Sequence, residues 1–253
     1  MDLRSDPTQV DPVQQPVDQM TRPEPLDLEF EGWSPEAFEL LDRLRAHPHI
    51  DQYQQEKPGV YDYVKNPFKR YRNDLVVNWV LPNRLDFETE KNVFARLLKN
   101  DFGAGGCKDN LWMSFYRPGR KRLKDVQISH NLSPDGFDVG LFVGGYANDL
   151  LEDAQARIEQ APGRYLALLN PLLQEKNWRF YFRTGSGKSK QRHTFEEPLD
   201  AVPDAAQRAN DLFVRRHFPR DQVLAWGPQL LEHTLDAVLS VWPIYRFYLS
   251  GTR

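Results

Sequence analysis

Apolar residues recur at two spacings along the chain, and the change from one to the other divides it. Early on, Phe38, Leu41 and Leu44, joined by Leu40, form one stripe at a spacing near 3.6, the mark of an amphipathic helix. Ser34 is a good N-cap and Pro35 suits the first helical position, so a helix over 34–46 is predicted, stopping at His47-Pro48. Val60 and Val64 suit a short helix, after which Asn66-Pro67 repeats the cap-then-proline start. Phe68, Tyr71, Leu75 and Trp79 then continue at helical spacing to Pro82. Val93, Phe94, Leu97 and Leu98 predict a further helix over 88–99, ahead of the glycine-rich loop Gly103-Ala104-Gly105-Gly106.

Beyond that loop the period falls to 2. Leu111, Met113 and Phe115 alternate with Trp112, Ser114 and Tyr116; Val126 and Ile128 alternate with Gln127 and Ser129; Val139, Leu141 and Val143 follow Gly136. These read as three strands. Ser133-Pro134-Asp135-Gly136 is turn chemistry, which makes the second and third an antiparallel hairpin. Helices are predicted over 148–159 and 163–174, then an aromatic strand over 178–183, then helices over 204–216 and 221–240. Strands in the middle and helices at both ends give an α+β class with a mostly antiparallel sheet.

Composition adds limits. The 253 residues are 40% hydrophobic and 27% charged, enough to build a sizeable core. Residues 1–28 carry five prolines, several Gln, and six acids against two bases, without apolar periodicity; they read as a disordered acidic tail before a single domain over 29–253. The net charge of −3 therefore hides a body at +1. No apolar run reaches the roughly 20 residues of a membrane helix and no signal peptide is evident, so a cytoplasmic protein with no membrane partner is expected. Cys107 is the lone cysteine; it offers neither an internal disulfide nor a thiolate zinc cluster.

Several motifs fail on inspection. Gly185-Ser186-Gly187-Lys188-Ser189 follows a strand as a phosphate loop would, but residue 182 is Phe where glycine is required, and no apolar helix follows Ser189. A basic hairpin loop fits better. His47-Pro48-His49-Ile50-Asp51 lacks further grouped ligands and reads as a solvated helix terminus. No acid-x-Lys triplet follows Pro134-Asp135 or Pro203-Asp204, and adjacent Glu196 and Glu197 point to opposite faces of a strand. Neither a metal site nor a cofactor is expected.

Basic clusters interleaved with aromatic residues carry the most information. Residues 108–124 contain Lys108, Arg117, Arg120, Lys121, Arg122 and Lys124 against Asp109 alone. Residues 176–193 contain Lys176, Arg179, Arg183, Lys188, Lys190 and Arg192 with no acid. Should the two β segments lie side by side, one patch would neutralise phosphates, with Trp112, Tyr116, Trp178 or Tyr181 stacking on bases. The expected binding residues are Arg117, Arg120, Lys121, Lys124, Trp178, Arg179, Arg183, Lys188, Lys190 and Arg192.

The run Phe30-Glu31-Gly32-Trp33 with Phe38, Leu41 and Leu44, then Tyr53, Glu56, Lys57, Val64, Pro67 and Phe68, resembles the opening of the bacterial domain-of-unknown-function 2461 family. Asp138 to Gly144, followed by Leu150, Arg157 and Ile158, is similar to that family's glycine-bearing strand leading into a helix. The resemblance covers about 30–170. The family's Arg-Asp, Arg-Phe-Ser and Asp-Lys-x-Pro-Tyr stretch has its nearest counterpart in Phe115-Tyr116-Arg117-Pro118, Lys121-Arg122 and Lys124-Asp125, which keep the basic character in another order. The resemblance implies an α+β fold and a bacterial cytoplasmic protein without assigned activity. It also implies a defence or restriction context, since members occur joined to restriction-type ATPases.

The leading expectation is a binding module whose basic, aromatic-bearing loops meet a phosphate-rich partner such as nucleic acid. One alternative is a hydrolase or transferase using Arg117, Lys124, Asp125 and His130 on an anionic substrate. Another is a protein-interaction subunit using the acidic tail or the terminal segment Trp242 to Leu249.

Overall fold

The first predicted helix forms as α1 (Pro35–Ala46), with Ala37, Phe38, Leu40, Leu41 and Leu44 buried. The computed structural model describes residues 9–101 and 103–251. After His47-Pro48 the backbone is helical again almost without interruption: α2 (Ile50–Gly59), a π turn (Val60–Lys65), α3 (Asn66–Leu75) and a second π turn (Val76–Val80). Pro67 thus lies inside a long helical rod instead of opening a new one. A proline removes one N–H from the ladder, and a π turn re-pairs the displaced carbonyls. Accordingly the Asn66 amide donates to the Tyr61 carbonyl and the Leu81 amide to that of Val76, both five residues back.

Two helical expectations are overturned. Over 88–99 the chain is extended and borders the first strand, with bridges Glu88↔Tyr116, Phe94↔Met113 and Leu98↔Cys107. Val93, Ala95 and Leu97 are the buried positions there, a period of 2 that the run Val93-Phe94-Ala95-Arg96-Leu97-Leu98 carries alongside a helical one. The open sheet edge decides between them, because its backbone groups need partners. Over 204–216 a short 3-10 turn (Asp204–Arg208) leads into a strand, described next.

Six strands form one sheet in the order β1-β2-β3-β6-β4-β5. They are β1 (Leu111–Phe115), β2 (Gln127–Ser133), β3 (Gly136–Gly144), β4 (Trp178–Thr184), β5 (Gln191–Phe195) and β6 (Asp211–Pro219), and every neighbouring pair is antiparallel. The fold is α+β. β6 is the central strand that joins the predicted hairpin to the aromatic strand. One face, carrying Phe137, Val139, Leu141, Phe180, Phe182, Leu212 and Val214, is buried in the core with the helices. Those helices include α4 (Asn148–Gln160), α5 (Pro162–Gln174), α6 (Arg220–Trp226) and α7 (Leu230–Leu249). α7 runs through the core, with Trp242, Ile244, Tyr245, Phe247, Tyr248 and Leu249 buried. The terminal segment offered above as an interaction surface is therefore interior. No helix among the described residues is long and apolar enough to cross a membrane.

The tail expectation also needs correction over residues 9–28; residues 1–8 lie outside the described part. This segment is a strap held by side chains of the helical rod and α7. Asn78 Nδ2 donates to the Asp27 carbonyl at 2.6 Å while its Oδ1 accepts from the Asp27 amide at 2.8 Å. Asn83 does the same for Thr21, and Asp74 accepts from the amides of Glu29 and Phe30. From α7, Trp242 Nε1 donates to the Gln15 carbonyl and Arg246 Nε to that of Val13. A low-hydrophobicity segment is thus ordered by hydrogen bonds to its backbone, a source of order that composition does not reveal.

Candidate nucleic-acid interface

Alternation along each strand sends every second side chain away from the core, and the register aligns these outward residues in rows across the sheet. One row is Trp112, Asn131, Asp138 and His217. The next is Ser114, Ser129, Gly140, Arg215 and Arg179. A third is Gln127, Phe142, Phe213, Tyr181 and Thr194. The middle row begins with two serines and a glycine, so it forms a floor between two taller banks, spanning about 10 Å across three strands. The result is a trough with a volume of about 340 Å3, lined by Trp112, Asn131, Phe142, Phe213 and Arg215 together with Tyr181, Arg183 and Arg192.

The aromatic bank is continuous. Phe142 stacks on Phe213 at 4.6 Å between ring centroids, and Phe213 on Tyr181 at 4.3 Å. Guanidinium groups cover this ladder: Arg215 lies 4.7 Å and Arg183 5.3 Å from the Phe213 ring, and Arg192 lies 4.1 Å from that of Tyr181. Such cation–π contacts hold flat cations with few carboxylate partners. On the opposite wing the Arg122 guanidinium sits 4.4 Å over the Trp112 ring.

Charge in the trough is incompletely neutralised. Arg183 is paired with Asp211, its Nε donating to Oδ2 at 2.6 Å, and Arg179 with Glu196 at 2.8 Å. Among the described residues Arg215, Arg192 and Arg122 have no ion pair; Arg215 donates to Ser129 Oγ at 3.0 Å and its Nε has no hydrogen-bond partner. The polar bank is a hydrogen-bonded chain. Asn110 donates to Asn131 at 2.6 Å, Asn131 to Asp138 at 3.2 Å, and His217 Nδ1 to Asp138 at 2.9 Å. Burial pushes the Asp138 carboxyl up, but the His217 hydrogen bond and the Arg215 charge outweigh it and leave its pKa below the ordinary value.

The residues expected from the sequence separate into three groups. Arg183 and Arg192 line the trough together with the half-buried rings of Tyr181 and Trp112, and Arg179 lies in the floor row. Lys121, Lys124, Lys188 and Lys190 are exposed on the 117–124 loop and the β4–β5 turn; Arg120 is half-buried between Asp125 and Asp149. Trp178 and Tyr116 belong to the interior, only 1% and 4% exposed, so neither can stack on a base. Arg117 is engaged by the buried Asp125, through both its side chain and its backbone amide.

The two basic β segments are not neighbours, because β2, β3 and β6 separate β1 from β4. They share a face instead. β1, β3 and β4 run in one direction, so the 117–124 loop and the 185–190 turn leave the same end of the sheet. Gly187-Lys188-Ser189 is a 3-10 turn inside the β4–β5 hairpin, not the start of a phosphate-binding helix.

Sequence reading missed Asn131, Asp138, Phe142, Phe213, Arg215 and His217. The last three lie on β6, whose alternation of Leu212, Val214 and Phe218 with Phe213, Arg215 and His217 was the available signal. His130 cannot serve the catalytic alternative: it is fully buried, shares a 3.0 Å hydrogen bond with Tyr71, and burial drives its pKa down to about 3. Cys107 is also buried, and burial raises its thiol pKa. Among the described residues no three His, Cys, Asp or Glu side chains group as metal ligands. No protein-family model matches the chain, and no curated protein matches it.

Proposed function

We propose that this protein binds single-stranded nucleic acid across the open face of its sheet. The observation that carries this reading is Arg215, a guanidinium with no ion pair among the described residues, lying on a floor of small residues between the rings of Trp112 and Phe142. Flat rings beside unneutralised guanidinium groups match the two parts of a nucleotide, a base with a π-face and a phosphate. A duplex presents its bases only at groove edges, whereas a splayed strand offers whole faces. The resemblance to a family joined to restriction-type ATPases supports a setting in bacterial defence, with such an ATPase as a partner.

The test uses Trp112, a half-buried indole lining the trough; Trp33, Trp79, Trp178 and Trp242 are buried, and the half-buried Trp226 packs on Phe218 and His233. Titration with a single-stranded oligonucleotide should quench tryptophan emission, and Trp112→Phe should remove the change. Unchanged emission together with no retention of the labelled strand would overturn the proposal.

One observation favours a hydrolase or transferase. His217, oriented by Asp138, stands two residues from Arg215 on the same face of β6, the arrangement of a base beside an anion-stabilising group. Conversion of an end-labelled strand to products, abolished by His217→Gln, would establish it; an intact strand after long incubation would dismiss it.

A further inference from the structure

Beside Trp112 lies a second concavity that the trough does not include. Its volume is about 490 Å3 and its lining includes Arg120, Lys121, Arg122, Lys124 and Tyr146. Tyr146 follows Gly144-Gly145 at the end of β3 and is 73% exposed, the most exposed large hydrophobic side chain among the described residues. A ring left so far in water gains nothing from the core. Around it stand four basic side chains, of which, among the described residues, Arg120 alone has carboxylate partners, Asp125 at 3.9 Å and Asp149 at 3.7 Å. Arg122 belongs to both places: it lines this pocket and stacks on Trp112, which lines the trough. Its Nε and Nη1 are buried without a hydrogen-bond partner, and burial lowers its pKa.

We infer that the Tyr146 pocket is a second nucleotide subsite for the same strand, its base stacking on Tyr146 and its phosphate held by Lys121 and Lys124. This rests on the trough binding nucleic acid. The Arg122–Trp112 stack is then the step between two nucleotide positions, with its cation facing the phosphate that joins them. From β5 to β1 the path crosses five strand gaps of about 4.8 Å, about 24 Å in all, in keeping with sites of about 4–16 nucleotides on other single-strand binders.

Fluorescence anisotropy with oligothymidylates from about two to about twelve nucleotides, and competition by thymidine monophosphate, test the inference. For the unaltered protein affinity should climb with length and then level off. Tyr146→Ala, and separately Lys121→Glu with Lys124→Glu, should weaken the longest strand by about tenfold while leaving the monophosphate unaffected. Tyr146→Phe, which keeps the ring, should bind as the unaltered protein does. Long strands bound equally by all these variants, with Arg215→Gln alone defective, would overturn the second subsite and leave the trough standing. No binding of any oligothymidylate by the unaltered protein would overturn both.

Discussion

Arg215 donates through Nη2 to Ser129 Oγ at 3.0 Å, which lays an arginine across two strands of a sheet face instead of letting it extend into solvent. It can lie there because its register partner on β3 is Gly140, which has no side chain to obstruct it.

Gly140 is therefore the position at which trough and stability are coupled. Its φ is +148°, and a Cβ there would run into the Val214 carbonyl oxygen. Gly140→Ala should cost about 1–3 kcal/mol of stability, measured by denaturant unfolding. Nucleic-acid affinity should fall with it as β6 is displaced.

The strap makes a separate prediction. Asn78 satisfies both backbone groups of Asp27 from a buried position. Asn78→Ala removes three hydrogen bonds, two to Asp27 and one to the Asp74 carbonyl, and should cost about 2–3 kcal/mol. Limited proteolysis should cut within 9–28 in the variant well before the unaltered protein is cut, and a digestion pattern identical in both would contradict the anchoring role.

Asp125 predicts a contrast between two acidic or basic changes in one loop. It is fully buried and receives both the Arg117 side chain and the Arg117 amide. Asp125→Ala leaves a guanidinium uncompensated and should cost about 3–5 kcal/mol. Lys121→Ala, at an exposed position four residues earlier, should change thermal unfolding within about 0.5 kcal/mol.

His130 ties the core to pH. In the unfolded chain a histidine takes its proton near pH 6.5, whereas in the fold burial, and then the Arg215 charge, hold protonation off until about 3. Between those values the unfolded state binds the extra proton, so stability is full above 6.5 and declines as pH falls, by up to about 1.4 kcal/mol per pH unit. From pH 7 to pH 5 the loss assigned to this residue is about 2 kcal/mol. Unfolding of His130→Gln across the same range should show a correspondingly shallower slope.

The regular elements were legible where one period was unambiguous. Phe38, Leu41 and Leu44 fit only a helix, and the Ser133–Gly136 turn fits a hairpin between alternating strands. The segments at 88–99 and 204–216 were not legible, because Val93 to Leu98 matches both periods and Arg215-Arg216-His217 resembles the polar face of a helix. Both are settled by tertiary need, the first by a sheet edge and the second by the gap between β3 and β4. That second misreading hid three of the six missed residues, Phe213, Arg215 and His217. Arg183, Trp112 and Tyr181 were visible on predicted strands and Arg192 as a base beside the predicted loop, but the residues that join them, Phe213 and Arg215, sit on the unpredicted β6. Alternation on β4 separates Trp178, Phe180 and Phe182 from Arg179, Tyr181 and Arg183, so the outward place of Tyr181 and the buried place of Trp178 were within reach of the local pattern; which residues each row meets is set by the register against β6.

The salt dependence of single-strand affinity tests the central claim most directly. Each phosphate neutralised contributes about −0.7 to the slope of log K against log salt. The unaltered protein should therefore show a steep negative slope, and replacing both Arg192 and Arg215 by Gln should flatten it by about 1.4. A slope unchanged by that double substitution, in a protein that still folds, would place the nucleic acid elsewhere and contradict the account.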